Sequence, residues 1–477
     1  MPRRSHIAAT RPRWYVLFIV IVGTMRAAVG AAQSLPLQPR PPQALTIEQA
    51  IRYARDHYPT VRAALEQVNA SAAGVDVARS AYLPRLDSLW QSHRATANNI
   101  FGQLLPQSVL PAISGPVLPS SSDSMWSSAT GALFSWELFD FGLRHASVAN
   151  AEAGLTRTMA DRALTGLEVE GAVADAFLGV IAAQRAVAAA QADVDRRDVL
   201  RRAVQTLVDN QLRPGAEASR AEAERAAAQT RLIQAQQTLA LAQALLLRVL
   251  GMTSGSVVIT GDTLTQLPSG DLGTAPASAH PLAQLHEATV DQSRAIEAVL
   301  ARTDEPHVYL QSSVFARGSG ANANGTLSGG IDGLGLERVN WAAGVQVTFP
   351  NMFDWSSLRA RKAAAAASTR AEAALYDEAL LTITNQQQAA TAQLNAARAI
   401  AANTPVQLAA AQQTESQSRT RYDAGLATII EVADAQSLLA QAEVQDQLAR
   451  VDVWRALLAT AIAQGDISRF VALLPQP

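Results

Sequence analysis

Apolar positions along this chain follow two periods, and segments of the two kinds take turns. Four short segments alternate apolar and polar residues. In Pro84–Arg94 the even positions include Leu86 and Trp90, and the odd ones Arg85, Asp87, Gln91 and His93. In Ser124–Phe139, Trp126, Ala132, Phe134, Trp136 and Leu138 fall opposite Ser127, Ala129, Gly131, Ser135 and Glu137. In Val308–Arg317, Val308, Leu310, Val314 and Ala316 oppose Tyr309, Gln311, Ser313 and Arg317. In Asn340–Phe349, Trp341, Ala343, Val345, Val347 and Phe349 oppose Ala342, Gly344, Gln346 and Thr348. Period two with aromatics near the ends is the pattern of barrel strands with one side to lipid and the other to a polar lumen. Strands are expected at about 84–96, 124–139, 306–317 and 339–350.

Between these segments the period becomes helical. Thr46 opens a helix with Gln49 completing a capping box, and the helix is expected to run to about Ala81, before Leu83-Pro84. From Gly142 to about Val208 the chain is alanine-rich, and Val173, Val180, Val187 and Val194 recur at the seven-residue spacing of a coiled-coil seam. Leu232, Leu239 and Leu246 repeat that spacing after a turn at Pro214-Gly215. Pro281–Arg302 is another helix. Trp355–Arg421 holds almost no helix breaker except Pro405, and a final helix runs to about Gln464. A helix of ~67 residues spans roughly 100 Å, which no compact core requires. The seams are narrow and small-sided, with Gln, Arg, Asp and Glu elsewhere, so these helices suit a hollow arrangement with water on both sides.

The second half of the pattern repeats the first. Arg421-Tyr422-Asp423-Ala424-Gly425-Leu426-Ala427-Thr428 ends one long helix, and Thr428-x-x-Glu431 opens the next with a capping box. A weaker copy, Asn210-Gln211-Leu212-Arg213-Pro214-Gly215-Ala216-Glu217, lies 214 residues earlier. Phe139-Asp140-Phe141 matches Phe353-Asp354-Trp355 at the same offset, so the chain reads as a tandem duplication. The expected division is 45–250 for repeat 1, with its tip at 209–216, and 281–466 for repeat 2, with its tip at 422–428. The Gly/Ser/Thr/Pro-rich 251–280 joins them, and 467–477 is a tail. Asn98–Asp123 and Gly318–Arg338 read as external loops.

Composition narrows the function. Across 477 residues the net charge is −2, which does not suggest nucleic-acid binding. The single lysine, Lys362, is not in a phosphate-binding loop, and neither HExxH nor GxSxG occurs, so no enzyme and no cofactor are expected. His280 and His286 flank a helix start without a third ligand, so no metal site is expected. With no cysteine, disulfides, thiolate sites and a lipid anchor on an N-terminal cysteine are not expected either. Arg3, Arg4, Arg11 and Arg13 precede the apolar run Trp14–Met25, and small residues follow through Gly30-Ala31-Ala32. That is a secretion signal over 1–32, followed by a loose leader over 33–44. No stretch reaches the ~20 apolar residues of a spanning helix.

Four amphipathic strands do not close a barrel, and open sheet edges are not tolerated in lipid, so several chains must share one. Two chains would supply eight strands and three would supply twelve; periodicity does not choose.

The ordered parts resemble the TolC-like outer-membrane efflux proteins over about Leu45–Asp466. The parts that carry the resemblance are Leu45-Thr46-Ile47-Glu48-Gln49-Ala50-Ile51, Tyr82-Leu83-Pro84, Phe139-Asp140-Phe141-Gly142 and the two tips, in that order. The resemblance implies a mixed α and β membrane protein: a homotrimer whose shared 12-stranded barrel continues into a long periplasmic α-helical barrel. It implies an outer-membrane duct that passively exports what an inner-membrane pump, RND or ABC type, delivers through a periplasmic adaptor (membrane fusion) protein. It implies Tyr422, Glu431 and Asp434 as the constriction at the periplasmic mouth, with carboxylates favouring cations. It also implies Arg213, Pro214, Gly215, Gly425, Leu426 and Ala427 as adaptor-contact tips. Ala427 stands where the family often has a basic residue, leaving Arg419 or Arg421 to close the mouth. Gln211 stands where the family usually has glycine, so the first tip is expected to turn at Pro214-Gly215. Trp90, Trp126, Trp136 and Trp341 are expected as interfacial aromatics, and Trp355 either as another or as packing between the two barrels.

Glu431 has a second explanation as the capping-box partner of Thr428, whereas Asp434 lies past the first turn. The competing reading of the chain is a non-transporting coiled-coil structural or adhesive surface protein. Such a protein has no need of four alternating segments at strand-to-helix junctions. A periplasmic adaptor would need a β-rich lipoyl-like region and usually a single hairpin.

Overall fold

A computed structural model describes residues 44–96, 124–252, 257–259, 264, 266–268, 270–320, 326, 331–350 and 354–474. The expected secretion signal and all but the end of the leader lie outside the described residues, as do most of the Asn98–Asp123 loop and parts of the 251–280 junction and the Gly318–Arg338 loop. The elements, in chain order, are β1 (Ala44–Leu45), α1 (Ile47–His57), α2 (Pro59–Ser80), β2 (Arg85–Thr96), β3 (Ser124–Phe139), α3 (Leu143–Asp209) and α4 (Gly215–Val249). They continue as β4 (Val258–Ile259), α5 (Pro281–Arg302), β5 (His307–Ser319), β6 (Arg338–Thr348), α6 (Trp355–Asp423), α7 (Ile429–Gln464) and α8 (Ser468–Ala472).

The first helix differs from its expectation. Thr46 forms the capping box with Gln49, but the helix breaks at Tyr58, which takes an extended conformation before Pro59, the first residue of α2. The proline ring disfavours helical geometry in its predecessor and lacks the N–H the preceding helix would use. A second, two-stranded sheet pairs Ala44–Leu45 parallel to Val258–Ile259, joining the start of repeat 1 to the linker.

The main sheet has the order β2-β3-β5-β6, all antiparallel, and β2 and β6 have no further partner strand on their outer edges among the described residues. Its faces are the reverse of those of a water-soluble sheet. Leu86, Trp90, Val314, Val339, Trp341, Val345 and Val347 are exposed, while Ser127, Gln311 and Ser313 are buried. Gly131 lets β3 and β5 pair, because a Cβ there would meet that of Phe315 at 2.7 Å.

Helices run on from the strand ends. At the junction below β3, Arg144 is buried and donates to Asp140 Oδ2 (3.0 Å), to the carbonyls of Glu137 (2.7 Å) and Leu138 (3.4 Å), and to Ala81 O (3.4 Å). Its guanidinium also sits 4.8 Å from the centre of the Tyr82 ring. Burial alone would raise the Asp140 carboxyl, but hydrogen bonds from Arg144 and from the Gly142 N–H hold it below its ordinary value.

α3 and α6 contain 67 and 69 residues, each roughly 100 Å long. α3 pairs with α4, and α6 with α7, as two long hairpins. Their shared core lies midway, where Val173, Phe177, Leu178 and Ile181 of α3 meet Val451, Trp454, Leu457 and Leu458 of α7. Trp454 stacks edge-on against Phe470 and donates to Gln266 O (2.9 Å).

Candidate functional site

The two hairpin tips come together, and the contact is built from both repeats. Each long helix ends in the same turn. Gly425 has φ 74°, with Leu426 N donating to Arg421 O (2.8 Å) and Gly425 N to Tyr422 O (3.0 Å). At the 214-residue offset, Gln211 has φ 61°, with Leu212 N donating to Leu207 O (2.9 Å) and Gln211 N to Val208 O (2.9 Å). This corrects the expectation for the first tip. Gln211 itself takes the left-handed position, since the hydrogen-bonded turn requires that geometry whatever the residue. Pro214 then serves as the N-cap of α4.

Tyr422 is the centre of the contact. It is 2 % exposed, in a cluster with Leu200, Val204, Ala221, Ala427, Ile429 and Val432. Its hydroxyl donates to Glu217 Oε2 at 2.8 Å. Arg213 lies over the ring, 4.7 Å from its centre, donates to Tyr422 O at 3.1 Å, and stands 3.8 Å from Glu217. Burial, then the Glu217 carboxylate, pushes the Tyr422 hydroxyl up to about 12, so it stays a proton donor at any working pH.

The other expected residues are placed differently. Glu431 forms the reciprocal capping box with Thr428, at 3.3 and 3.4 Å, and Arg421 comes within 4.0 Å of it. Asp434 is exposed one turn on, with no partner among the described residues. Pro214, Gly215, Gly425 and Leu426 are exposed and Arg213 is half-buried; Ala427 is buried, so it packs inside the tip rather than on its surface. Glu217, at the position matching Glu431, is a functional partner that the sequence pattern does not assign. Arg213, expected as an adaptor-contact tip residue, also holds the Tyr422 ring and carbonyl. Charge at the matched offset singles out Glu217, opposite Glu431, but Arg213 matches the uncharged Ala427, and only the packing of one hairpin on the other brings both to Tyr422.

Of the aromatics, Trp90 and Trp341 are exposed on the apolar face. Trp90 lies mid-strand opposite Thr130, not at a strand end. Trp126 lies towards the end of β3 remote from the helices, and Trp136 near the helices, with Nε1 donating to Tyr82 O (3.0 Å). Trp355 is exposed at the start of α6.

The sequence profile of a family described as outer membrane efflux protein matches residues 50–252 and 287–463. No curated protein matches the chain. Solved structures share its fold. The outer membrane protein VceC of Vibrio cholerae superposes with a TM-score of 0.71 at 17% identity, over 88% of this chain and 96% of that one. The Campylobacter jejuni CmeC outer membrane channel gives 0.71 at 15% identity, over 88% and 85%. The open state of the Neisseria gonorrhoeae MtrE outer membrane channel gives 0.70 at 20% identity, over 88% and 89%. The chain belongs to the outer membrane efflux protein family, and its place is the outer membrane.

Proposed function

We propose that three copies of this chain form an outer-membrane exit duct, in which a shared twelve-stranded barrel continues into a barrel of long periplasmic helices. One observation carries the reading: a four-stranded sheet with its apolar side chains outward and, among the described residues, both edges unpaired, joined end-on to hairpins roughly 100 Å long. Lipid is the solvent that suits the apolar face. In an all-antiparallel closed barrel, β6 of one chain would meet β2 of the next. The secretion signal over 1–32 and the two repeats, 45–250 and 281–466, belong to the same proposal.

The tips form the periplasmic mouth. Tyr422, held by Glu217 and Arg213, keeps the repeat-2 tip against the repeat-1 tip. Glu431 and Asp434 would repeat threefold near the axis as a cation-favouring constriction. The exposed residues Pro214, Gly215, Gly425 and Leu426, with Arg213 at their edge, form the surface offered to a periplasmic adaptor linked to an RND or ABC pump. Trp126, Trp136 and Trp341 anchor the sheet at the membrane interfaces, with Trp90 deeper in the lipid. The duct does no covalent chemistry; its work is selection and opening.

The test is reconstitution. Purified from outer membranes in detergent, the chain is expected to run as a trimer and to give discrete conductance steps in planar bilayers. A protein that stays soluble without detergent, or inserts without conducting, would refute the duct. In the Glu431→Gln/Asp434→Asn double variant, cation preference is expected to fall; an unchanged preference removes the acidic ring.

A further inference from the structure

We propose that β6 of one copy pairs with β2 of the next in a single register, with Gln346 opposite Asp87 and Trp341 opposite Ser92. The proposal rests on the shared-barrel reading and deepens it, because it names the residues that close the barrel against a second copy of this chain.

The two faces limit the choice first. Strand pairing places Gln91, Ala129, Arg317 and Arg338 in one row across the sheet. That row lies on the face of Gln311 and Ser313, whereas Leu86, Trp90, Val339, Trp341, Val345 and Val347 are exposed on the other. Paired residues share a face, so an even-numbered residue of β2 meets an odd-numbered residue of β6. A slip of one residue would turn Trp341 into the lumen.

Barrel geometry limits it further. An untilted barrel would continue the row from Arg338 into Gln91 of the next copy. Strands about 4.8 Å apart, rising about 3.4 Å per residue and tilted by roughly 35–45°, slip by about 4.0–5.6 residues over the four strand spacings of one chain, whatever the number of copies. Only an even slip keeps the faces, and ~4 is the one even value in that range. In one direction it sets Arg338–Thr348, all 11 residues of β6, against Arg85–Ala95 of the 12-residue β2. In the other it leaves only Arg338–Asn340 against Arg85–Asp87. Unpaired backbone is costly in lipid, which favours the full overlap.

Side chains agree with this register. Large meets small across the seam: Trp90 with Ala343, Trp341 with Ser92, and Leu89 with Gly344, where an added Cβ has nothing within 4 Å. Trp90 and Trp341 become diagonal neighbours on the lipid face, within reach of each other. Gln346 Oε1, buried and without a hydrogen-bond partner among the described residues, gains Asp87 opposite and the Arg85 guanidinium on the diagonal. Gln91 Nε2 and Asn340 Nδ2 are also buried and unpartnered, and the register brings these two amides to one diagonal. The amides that one chain leaves unsatisfied in the sheet thus sit on its two edge strands and meet across the seam.

The natural chain has no cysteine, so introduced pairs are clean. Gln91→Cys with Ala342→Cys sets paired Cα atoms about 4.5–5.5 Å apart across the seam, within disulfide range. A slip of two residues moves them to roughly 8 Å, past the ~7 Å limit. Oxidised in outer membranes, this double variant is expected to form covalently linked copies on a denaturing gel roughly tenfold faster than Gln91→Cys/Asn340→Cys or Gln91→Cys/Gly344→Cys. Faster linking by either slipped pair, or equal rates in all three, would overturn the register. No link in any of them overturns the seam itself. The mass of the unaltered chain in detergent then separates the two readings: a single copy sinks the shared barrel as well, whereas a trimer leaves the barrel standing and removes only this seam.

Discussion

The two hairpins share one plan but are fastened differently. Repeat 1 is zipped by charge. Arg197, 2 % exposed, bonds Asp193 at 3.0 Å and Glu224 at 2.9 Å, Arg231 closes on the other Asp193 oxygen at 3.0 Å, and Arg201 approaches Glu222 at 3.5 Å. Between α6 and α7 of repeat 2 the described ion pair is Arg421 to Glu431, at 4.0 Å and at the tip. The junctions to the sheet differ likewise. Arg144 pins the start of α3, whereas the matching position in α6, 214 residues on, is the buried Leu358. Duplication copied the architecture without copying its fastenings. Charge fastens the repeat-1 hairpin along its length and the repeat-2 hairpin at its tip.

That comparison breaks first at the junction. Arg144→Leu, which gives repeat 1 the residue of repeat 2, leaves Asp140 buried without its cation. A loss of about 3–5 kcal/mol is expected, read from denaturant unfolding in detergent. A loss below about 1 kcal/mol would mean the junction is not a fastening. Next is the zip. Arg197→Met strands Asp193 with only Arg231, which is half-exposed, and a loss of about 2–4 kcal/mol is expected, with faster hydrogen exchange confined to α3 and α4. At the mouth, Tyr422→Phe removes one hydrogen bond to a carboxylate, about 1.5–3 kcal/mol. Exchange is expected to quicken at the tips, and the reconstituted channel to open more often. Unchanged exchange there would remove the Tyr422 contact as a tie between repeats.

Two smaller tests sharpen the comparison. Gln211→Gly gives the first tip the residue of the second. It relieves a left-handed side chain, and a gain of about 0.5–1 kcal/mol is expected, whereas Gly425→Gln should lose a similar amount. The repeats also open on different caps. Thr46 caps α1 without titrating, but His280 caps α5, its Nδ1 accepting from Leu282 N (3.0 Å) and its Nε2 donating to Ile462 O (3.1 Å). The Nδ1 bond needs the neutral ring, and burial pushes the His280 pKa below its ordinary value against the upward pull of the Ile462 carbonyl, which accepts from either form. The unfolded chain therefore takes up the proton first. The cap contributes fully above the ordinary histidine range, near 6.5, and is lost as pH falls through the lower folded value. His280→Asn keeps a capping oxygen and should flatten this part of the pH dependence of unfolding.

Much of the plan was legible before any coordinates. The alternation of Ser124–Phe139, the heptad valines of α3 and the matched tips all follow from side-chain period, which is set within a few residues. Local rules were incomplete where two signals competed. Tyr58-Pro59 broke a helix whose apolar pattern continued, and Gln211 took a glycine's geometry because the turn demanded it. The contact between the two tips was legible only in half. Tyr422 stood out as an aromatic beside a turn, but its partners lie more than 200 residues away in sequence.

Sequence by itself determined the elements, the duplication and the inside-out strands, because period and capping act over one or two turns of chain. Tertiary structure alone decided which charges meet. Asp434 and Glu217 are both single carboxylates near a turn. One is left exposed and the other is joined to Tyr422, because long hairpins bring together residues by their height along the axis and not by their order in the chain. The same geometry set Thr404 against Asp446 beside the one proline of α6, where no spacing rule links them.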